Sequence, residues 1–294
     1  MKGIILAGGS GTRLYPATRI ISKQLLDIGG KPMIYYPLTL LLMAGIRDIL
    51  IISSPEHIDL YQHCLANSPQ WGINLHYTVQ SHPGGLAQAF LIPKQNNFTS
   101  SEEFIANEPV TLILGDNIFF GPVDFLQSIQ SFESGALIYA KHIVNPERFG
   151  VVQFNSQDLP IALVEKPQNF ISHWAVTGLY VYDSTVIERA AKLKPSARGE
   201  LEITDLNRSY METQELKAVK LRRAISWFDT GTKESIELVR QFIYLQEKIQ
   251  EILIGAPEEI AYRMGFIDSF QFQSIISHYP DNEYRRLLEM VHPE

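Results

Sequence analysis

The chain has 294 residues, of which 45% are hydrophobic, and this is enough to bury a large core. Its formal net charge is −7, which disfavours sequence-independent binding of nucleic acid, because such binding depends on neutralising phosphates. The single cysteine, Cys64, excludes an internal disulfide and a cysteine metal cluster. With neither a signal peptide nor an apolar stretch long enough to span a membrane, we expect a cytoplasmic protein that binds neither membrane nor nucleic acid.

Short apolar runs alternate with longer amphipathic segments through the first two-thirds of the chain. This alternation is typical of βαβ units, so we predict an α/β, Rossmann-like fold with a mostly parallel mixed central sheet flanked by helices. The first strands are predicted at residues 3–7, 48–53, 75–79 and 110–114, and the first helices at residues 32–44 and 86–92.

The pattern changes after residue 117, where strand-like stretches are separated by polar turns. They occupy residues 137–142, 150–154, 161–164, 178–182 and 215–221, and they predict inserted strands that cover one side of the site. From Lys233 the chain becomes helical, with apolar residues at helical spacing over residues 235–252. We therefore predict a core of residues 1–232 and a C-terminal helical segment of residues 233–294, packed on the core or on a neighbouring subunit.

A glycine-rich turn, Ala-Gly-Gly-Ser-Gly-Thr-Arg at residues 7–13, directly follows the first predicted strand. Glycines let the backbone approach a ligand closely, and successive backbone N–H groups in such a turn can bind phosphate oxygens. The dinucleotide-binding motif requires glycine where Leu14 stands, and the ATP-binding loop requires Gly-Lys-Ser/Thr, which is absent here. The turn is therefore either a phosphate loop of another kind or simply a tight turn rich in small residues.

Basic residues concentrate near this turn. The first 31 residues contain one acid, Asp27, and five basic residues, which are Lys2, Arg13, Arg19, Lys23 and Lys31. Arginine can hold a phosphate through two parallel hydrogen bonds, and lysine acts as a point charge. This local positive charge on an acidic chain favours the phosphate-binding interpretation over a solvated surface.

These motifs resemble the sugar-nucleotide pyrophosphorylases, and within them most of all the glucose-1-phosphate thymidylyltransferases. The resemblance begins with Gly-Gly-x-Gly-Thr-Arg-Leu at residues 8–14 and Lys-Gln-Leu-Leu at residues 23–26. It continues in order through residues 31–34, Gln80, and residues 85–90, 114–117, 148–152, 165–167, 176–180, 198–205, 227–232 and 257–263. The resemblance implies a nucleotidyltransferase core that converts dTTP and glucose 1-phosphate into dTDP-glucose and pyrophosphate with Mg²⁺, as the first step towards dTDP-L-rhamnose, in a homotetramer.

Candidate site residues follow from the same resemblance. Asp116 and Asp229, which taken singly are more often turn or cap residues, are implied to hold the metal and to act in catalysis together with Arg13 and Lys23. The implied nucleotide contacts are Leu6, Gly8, Gly9, Gly11, Thr12, Arg13, Gln80, Gly85 and Asp116. The implied sugar-phosphate contacts are Gly150, Glu165, Lys166, Val176 and Arg198.

Other functions remain open from the sequence. One is a uridylyltransferase or another sugar-1-phosphate nucleotidyltransferase, and a second is a non-catalytic paralogue that binds a nucleotide sugar. A Rossmann oxidoreductase is disfavoured, because the third glycine of its motif is absent. The family also has a second nucleotide site for feedback inhibition by dTDP-rhamnose, and Glu258, Glu259, Ile260 and Arg263 match that region. Residues 222–224 and 122–123 depart from the usual residues of the family at these positions.

Overall fold

The computed structural model describes residues 1–9, 11–95 and 97–291. Its strands are β1 Lys2–Leu6, β2 Asp27–Ile28, β3 Lys31–Pro32, β4 Asp48–Ser53, β5 Asn74–Val79, β6 Val110–Leu114, β7 Asn117–Phe120, β8 Ala136–His142, β9 Gly150–Phe154, β10 Pro160–Glu165, β11 Trp174–Tyr182, β12 Leu216–Lys220 and β13 Ser226–Asp229. Its α-helices are α1 Tyr35–Met43, α2 Ile58–Cys64, α3 Ser101–Ile105, α4 Gln127–Gln130, α5 Val186–Ala191, α6 Ile203–Glu212, α7 Lys233–Gln250, α8 Pro257–Arg263, α9 Ser269–Ser277 and α10 Glu283–Glu289.

Among the described residues, nine strands form a mixed central sheet, which confirms the predicted fold class. The order is β10-β9-β11-β6-β1-β4-β5, and β8 pairs with β11 and β12. Strand β1 is parallel to both β4 and β6, whereas β11 is antiparallel to β6, β8 and β9. In the register of β1 and β6, Leu6 lies opposite Leu114, so the loops that follow these two strands begin side by side.

Apolar side chains of the central strands alternate between the two faces of the sheet, as the period of a strand requires. Ile5 belongs to the core cluster that also contains residues of α1 and of the C-terminal helices α8 to α10. Ile4 and Leu6 pack on the other face, with residues of α3, α5 and α6. The sheet is therefore covered by helices on both faces, and its strand ends are left to carry the site.

Several predicted elements match the structure closely. The predicted strands 48–53, 110–114 and 150–154 have the bounds of β4, β6 and β9. The predicted helix 32–44 begins later, at Tyr35, because Lys31 and Pro32 form β3, and it ends at Met43, just before the predicted terminating Gly45. Gly45 has φ 86°, and the N–H of Ile46 closes the turn on the carbonyl of Leu41.

Other predicted elements differ from the structure. The predicted helix 86–92 is only a short 3-10 turn, Ala87–Phe90, in which the N–H of Ala87 donates to the distant carbonyl of Leu201 and the N–H of Ala89 donates three residues back, to Leu86. The predicted strand 178–182 begins earlier, at Trp174. Strands β7 and β13 were not predicted. Helix α7 begins at Lys233 after a capping box at Thr232, and the division of the chain into residues 1–232 and 233–294 stays a prediction.

No helix in the part of the chain that the structure describes is long and apolar enough to cross a membrane.

Candidate functional site

The glycine turn lies at the carboxyl end of β1. Residue 10 of the predicted motif is outside the described residues. Gly9 has φ 112° and a side chain there would meet nothing within 4 Å, whereas a Cβ on Gly11 would lie 2.9 Å from the Thr18 side chain. Gly9 therefore leaves its backbone open to the cleft, and Gly11 is required by the packing of the turn itself.

Lys23 reaches this turn from a short 3-10 segment, Lys23–Leu25. Its ammonium lies 2.5 Å from Oδ2 of Asp116, and its side chain is 11% exposed. The next residue, Gln24, is buried and donates a long hydrogen bond, 3.4 Å, to the carbonyl of Gly8. The hydroxyls of Ser22 and Tyr61 both donate to the Gln24 amide oxygen, at 2.8 and 3.2 Å. This buried network fixes the lysine beside the glycine turn.

Asp116 and Asp229 come together through the β7–β13 ladder. Asp116 directly precedes β7, and Asp229 ends β13, where it lies opposite Asn117 in the antiparallel register. Thr230 donates both its backbone N–H and its hydroxyl to the carbonyl of Asp116, at 3.1 and 2.8 Å. Two acids that are distant in the sequence are thereby held at one place.

The electrostatics of Asp229 reflect that proximity. Burial raises the pKa of its carboxyl, and the Asp116 carboxylate raises it further. The nearby cations Lys23, Arg148 and Arg13 act in the opposite direction on this pKa. Two carboxylates that repel each other in a partly buried cleft favour the binding of a cation, because its charge offsets the repulsion.

Two cavities share this centre. The smaller one, about 310 Å³, is lined by the glycine turn and Lys23. The larger one, about 850 Å³, is lined by all the residues predicted to contact the sugar phosphate, namely Gly150, Glu165, Lys166, Val176 and Arg198. Arg13, Asp116 and Asp229 line both cavities. The structure therefore joins the space beside the glycine turn to the larger space that contains the predicted sugar-phosphate contacts, and the two meet at the acids and the arginine.

The larger cavity contains a network of charged side chains. Glu165 accepts a hydrogen bond from the Thr204 hydroxyl at 2.7 Å, and the ammonium of Lys166 lies 3.3 Å from its other oxygen. The guanidinium of Arg198 donates to Glu202 at 2.9 Å and lies 3.3 Å from Glu200. Such a network offers cations to a phosphate and carboxylate oxygens to sugar hydroxyls.

The backbone of Lys166 is unusual for a residue other than glycine, because its φ is 42°. Strained backbone of this kind is found preferentially at functional sites, where the surrounding structure maintains it. The N–H of Lys166 donates to the carbonyl of Phe149 at 3.0 Å, which ties the residue to the strand end that carries Gly150.

Of the residues predicted to contact the base, Gln80 lies beside the glycine turn and Gly85 lies beside Gln80. A Cβ on Gly8 would lie 3.0 Å from Oε1 of Gln80, so the two residues are close neighbours. Gly85 has φ 100°, and a Cβ there would lie 2.4 Å from the carbonyl oxygen of Leu201. Glycine is therefore required at residue 85 by backbone packing as well. The carbonyl of Leu6 accepts from the N–H of Gly115 at 2.9 Å, which joins the ends of β1 and β6. Thr12 and Gly11 line the smaller cavity.

The chemistry of the two acids suits a magnesium ion. Mg²⁺ binds oxygen ligands and is usually held by one or two protein carboxylates together with substrate phosphates and water. Asp116 and Asp229 supply such carboxylates and face the same smaller cavity as the glycine turn. Among the described residues there is no group of three or more His, Cys, Asp or Glu that could hold a metal. Within this part of the chain, the metal would therefore have at most two such ligands from the protein.

Two residues at the site were given no role from the sequence. Asn117 is buried and donates to Asp116 at 2.9 Å, while its oxygen accepts from Gly178 N and from the Trp227 indole. Arg148 lines the larger cavity, and its guanidinium lies 4.0 Å from Asp229. Both residues lie inside motifs that the resemblance identified, and the signal that could have found them is their position, one residue after Asp116 and two residues before Gly150.

The residues matched to the feedback site have contacts within the C-terminal segment. Glu258 is 1% exposed and accepts hydrogen bonds from the hydroxyls of Tyr279 and Tyr284, at 2.5 and 2.7 Å. Glu259 is also buried, and the Nε of Arg263 donates to it at 2.8 Å. Ile260 is partly buried. In this structure the Glu258 carboxylate holds α8 against the tyrosines near α10.

Comparison with known proteins places these features in a family. The nucleotidyl transferase family model matches residues 2–245. The glucose-1-phosphate thymidylyltransferase of Neisseria meningitidis is 48% identical, over 98% of both chains. That of Mycolicibacterium smegmatis is 48% identical over 92% of both chains.

Solved structures agree. A structure from Bacillus anthracis, described as a glucose-1-phosphate thymidylyltransferase in complex with a sucrose, matches with a TM-score of 0.74 and 39% identity, covering 83% of this chain and 95% of that one. A UDP-glucose pyrophosphorylase complexed with UDP-glucose matches with a TM-score of 0.72 at 22% identity, which shows a shared fold. The chain belongs to the nucleotidyl transferase family and, within it, to the glucose-1-phosphate thymidylyltransferases.

Proposed function

We propose that this chain transfers a thymidylyl group from dTTP to glucose 1-phosphate and releases dTDP-glucose and pyrophosphate. The observation that carries the proposal is the meeting of Arg13, Asp116 and Asp229 at the junction of the two cavities. The proposal assigns the triphosphate to the glycine turn and the sugar phosphate to the cavity lined by Glu165, Lys166 and Arg198. The sugar phosphate and the α-phosphorus would then meet at that junction.

The reaction needs no covalent intermediate on the enzyme. A phosphate oxygen of glucose 1-phosphate forms the new P–O bond to the α-phosphorus, and the α–β phosphoanhydride bond breaks with its electron pair leaving on pyrophosphate. Catalysis is then mostly positioning and charge neutralisation. Arg13 and Lys23 neutralise the triphosphate, and Lys166 and Arg198 hold the sugar phosphate.

Asp116 and Asp229 would hold Mg²⁺, which when bound offsets the charge of the phosphates. The ammonium of Lys23 lies 2.5 Å from Oδ2 of Asp116, so this lysine positions the acid in the cleft. In the proposed complex Gln80 faces the thymine, Gly150 and Val176 lie against the glucose, and Leu6, Gly8 and Gly85 leave room for the nucleotide. The protein would act in the cytoplasm, where dTDP-glucose is the starting material for dTDP-L-rhamnose.

Pyrophosphate release by the purified protein tests the proposal. The assay compares dTTP with UTP, and glucose 1-phosphate with other sugar 1-phosphates, in the presence of Mg²⁺. We expect the highest kcat/KM with dTTP and glucose 1-phosphate. A preference for UTP would indicate a uridylyltransferase instead. Absence of pyrophosphate with every pair of nucleotide and sugar phosphate would indicate a non-catalytic protein that binds nucleotide sugars.

Variants at the centre separate catalysis from folding. Asp116→Asn, Asp229→Asn and Lys23→Ala are each expected to lower turnover by about 10² or more, because the first two remove a carboxylate that would hold the metal and the third removes a cation that neutralises phosphate. Circular dichroism and thermal melting check that the fold is kept. Turnover near that of the wild type in folded variants would contradict the assigned roles.

The predicted homotetramer is part of the same proposal. Its support is the family resemblance, and light scattering coupled to size-exclusion chromatography measures the mass directly. We expect about four times the mass of the 33.4 kDa chain. A monomeric mass would remove the tetramer from the proposal without affecting the reaction.

A further inference from the structure

Gln88 lies in the motif of residues 85–90 but was given no role at the functional site, and it is hydrogen-bonded to Gln80, the residue that faces the base in the proposed complex. Its Oε1 accepts a hydrogen bond from Nε2 of Gln80 at 2.7 Å and another from the backbone N–H of Gly84 at 2.9 Å. Its Nε2 lies 3.2 Å from Nε2 of His82. The Gln88 amide thus has partners on three sides, and all of them belong to the loop that leads from β5.

The backbone N–H of Gly84 determines the direction of the whole network. The two ends of a side-chain amide are assigned from their partners, and a backbone N–H can only donate. Gln88 must therefore present its oxygen to Gly84. Because Gln80 meets that same oxygen, Gln80 must present its NH₂ group to Gln88.

A second contact requires the same orientation of Gln80. Its Nε2 also lies 3.4 Å from the carbonyl oxygen of Gly85, which can only accept. With its nitrogen held on this side, the amide oxygen of Gln80 is directed to the other side, where it lies against Gly8 of the glycine turn. The nucleotide side of Gln80 therefore offers a hydrogen-bond acceptor.

We propose that Gln88 is a specificity-determining positioning residue, which holds the Gln80 amide so that its oxygen faces the nucleotide and selects a pyrimidine whose N3 carries a proton. This inference rests on the proposed function in taking the base to be the group beside Gln80. Thymine and uracil have one ring donor, N3–H, which the Gln80 oxygen accepts. Cytosine in the same position has a lone pair at N3, which opposes that oxygen and leaves both acceptors unpaired.

Glycine at residue 84 is also needed for this arrangement of Gln80 and Gln88. A Cβ at residue 84 would lie 2.7 Å from the Gln88 oxygen, so any larger residue would displace the amide from its two donors. Glycine at residue 84 therefore allows Gln88 to sit directly over the backbone N–H that orients it.

Equilibrium binding of dUTP and dCTP tests the proposal, because their bases differ only at N3 and the C4 substituent. Isothermal titration with Mg²⁺ and without sugar phosphate gives the ratio of the two dissociation constants. The test variant is Gln88→Leu, which removes the 2.7 Å hydrogen bond and leaves only the long 3.4 Å contact with the Gly85 carbonyl to orient the Gln80 amide. We expect the preference for dUTP over dCTP to fall by about tenfold or more in this variant, with the change seen in both affinities.

Gln88→Glu is the matched variant. A carboxylate still accepts from Gly84 and from Gln80 but cannot donate to His82, so the preference for dUTP is expected to stay within about threefold of the wild type. A uniform loss of affinity for both nucleotides in Gln88→Leu, with an unchanged ratio, would mean that Gln88 is merely structural and would overturn the proposal. Loss of the preference in both variants, or no preference in the wild type, would overturn it equally.

Two separate measurements test the role of Gln88 and the proposed reaction. Pyrophosphate release from dTTP by the wild type tests the reaction, whereas the ratio of dissociation constants tests Gln88 without turnover. Turnover with an unchanged ratio in Gln88→Leu keeps the reaction and rejects the role of Gln88. A shifted ratio in a protein that releases no pyrophosphate keeps the role of Gln88 and rejects the reaction.

Discussion

The side chain of Asn117 connects three parts of the site that are far apart in the sequence. Its amide nitrogen donates to Asp116, and its oxygen accepts from the N–H of Gly178 in β11 and from the indole of Trp227 in β13. A Cβ on Gly178 would lie 2.7 Å from this amide, so the strand is shaped around it. Groups that orient a metal-binding carboxylate are typically worth about 10- to 100-fold in metal affinity or activity.

We therefore expect Asn117→Ala to raise the Mg²⁺ concentration for half-maximal rate and to weaken Mn²⁺ binding, measured by electron paramagnetic resonance without substrate, by about tenfold or more. Asn74→Ala is the matched control, because Asn74 also donates to an aspartate, Asp48, at 2.8 Å, but at the exposed end of β5. Equal metal binding in the Asn117 variant and in this control would show that the Asn117 contacts do not position Asp116.

At the scale of elements, a buried ion pair fastens the C-terminal helix α7 to the core. The ammonium of Lys31 in β3 lies 2.7 Å from Glu247 in α7, and the two side chains are 3% and 14% exposed. Lys31 also donates to the carbonyl of Gly29 at 3.0 Å. Removing one partner of a buried pair leaves the other charge buried without compensation, which costs about 3–5 kcal/mol.

Urea denaturation of Lys31→Met is expected to show that loss in the free energy of unfolding. The control is Lys248→Met, in the same helix α7. The ammonium of Lys248 lies 3.5 Å from Glu283, and the two side chains are 63% and 76% exposed, so this substitution removes an exposed pair. It should change the free energy of unfolding by less than about 1 kcal/mol. Similar effects from the two substitutions would mean that burial does not govern this contact.

The carboxyl group of Glu258 gives the C-terminal helices a dependence on pH. Burial raises its pKa above the ordinary value of 4.5, although the hydroxyls of Tyr279 and Tyr284 oppose that shift. The folded protein therefore holds this proton at pH values where the unfolded chain has lost it. Its contribution to stability is present below pH 4.5 and is lost as the pH rises from 4.5 through the raised pKa.

We expect Glu258→Gln to remove that decline. Between pH 4.5 and neutrality, the melting temperature of the wild type relative to the variant should fall as the pH rises, because only the wild type loses a proton there. Glutamine keeps an acceptor for one tyrosine and a donor for the other, so the variant should fold. A constant difference between the two melting temperatures across this pH range would contradict the burial argument.

At the scale of the whole molecule, the sequence predicted the alternation of strands and helices more successfully than the two strands that hold Asp116 and Asp229 together, and the roles of the site residues stay a prediction. The bounds of β4 and β6 follow from unbroken apolar runs, which a buried parallel strand requires. Strands β7 and β13 have mixed polarity, and their pairing across more than a hundred residues is a tertiary effect that no local pattern contains. The same holds for the roles of Asn117 and Gln88, which depend on partners brought together by folding.

The cleft unites charges from segments spread over most of the chain, so a ligand that binds there should stabilise the whole fold. Binding to the native state adds about 2.7 kcal/mol at a ligand concentration of 100 times Kd. We expect dTTP with Mg²⁺ to raise the melting temperature more than dTTP alone, because the proposed metal site exists only when the fold holds Asp116 and Asp229 together. In Asp229→Asn the further rise caused by Mg²⁺ should be lost.

Asp281→Asn supplies the control for the loss of one acidic charge. Asp281 is 83% exposed and pairs with Arg286 at 3.2 Å near α10, so its variant should show the same Mg²⁺-dependent rise as the wild type. If Mg²⁺ stabilised the dTTP complex of Asp229→Asn as much as that of the wild type, the ion would be bound through the nucleotide alone. The pairing of β7 with β13 would then align Asp229 with Asp116 for a reason other than metal binding.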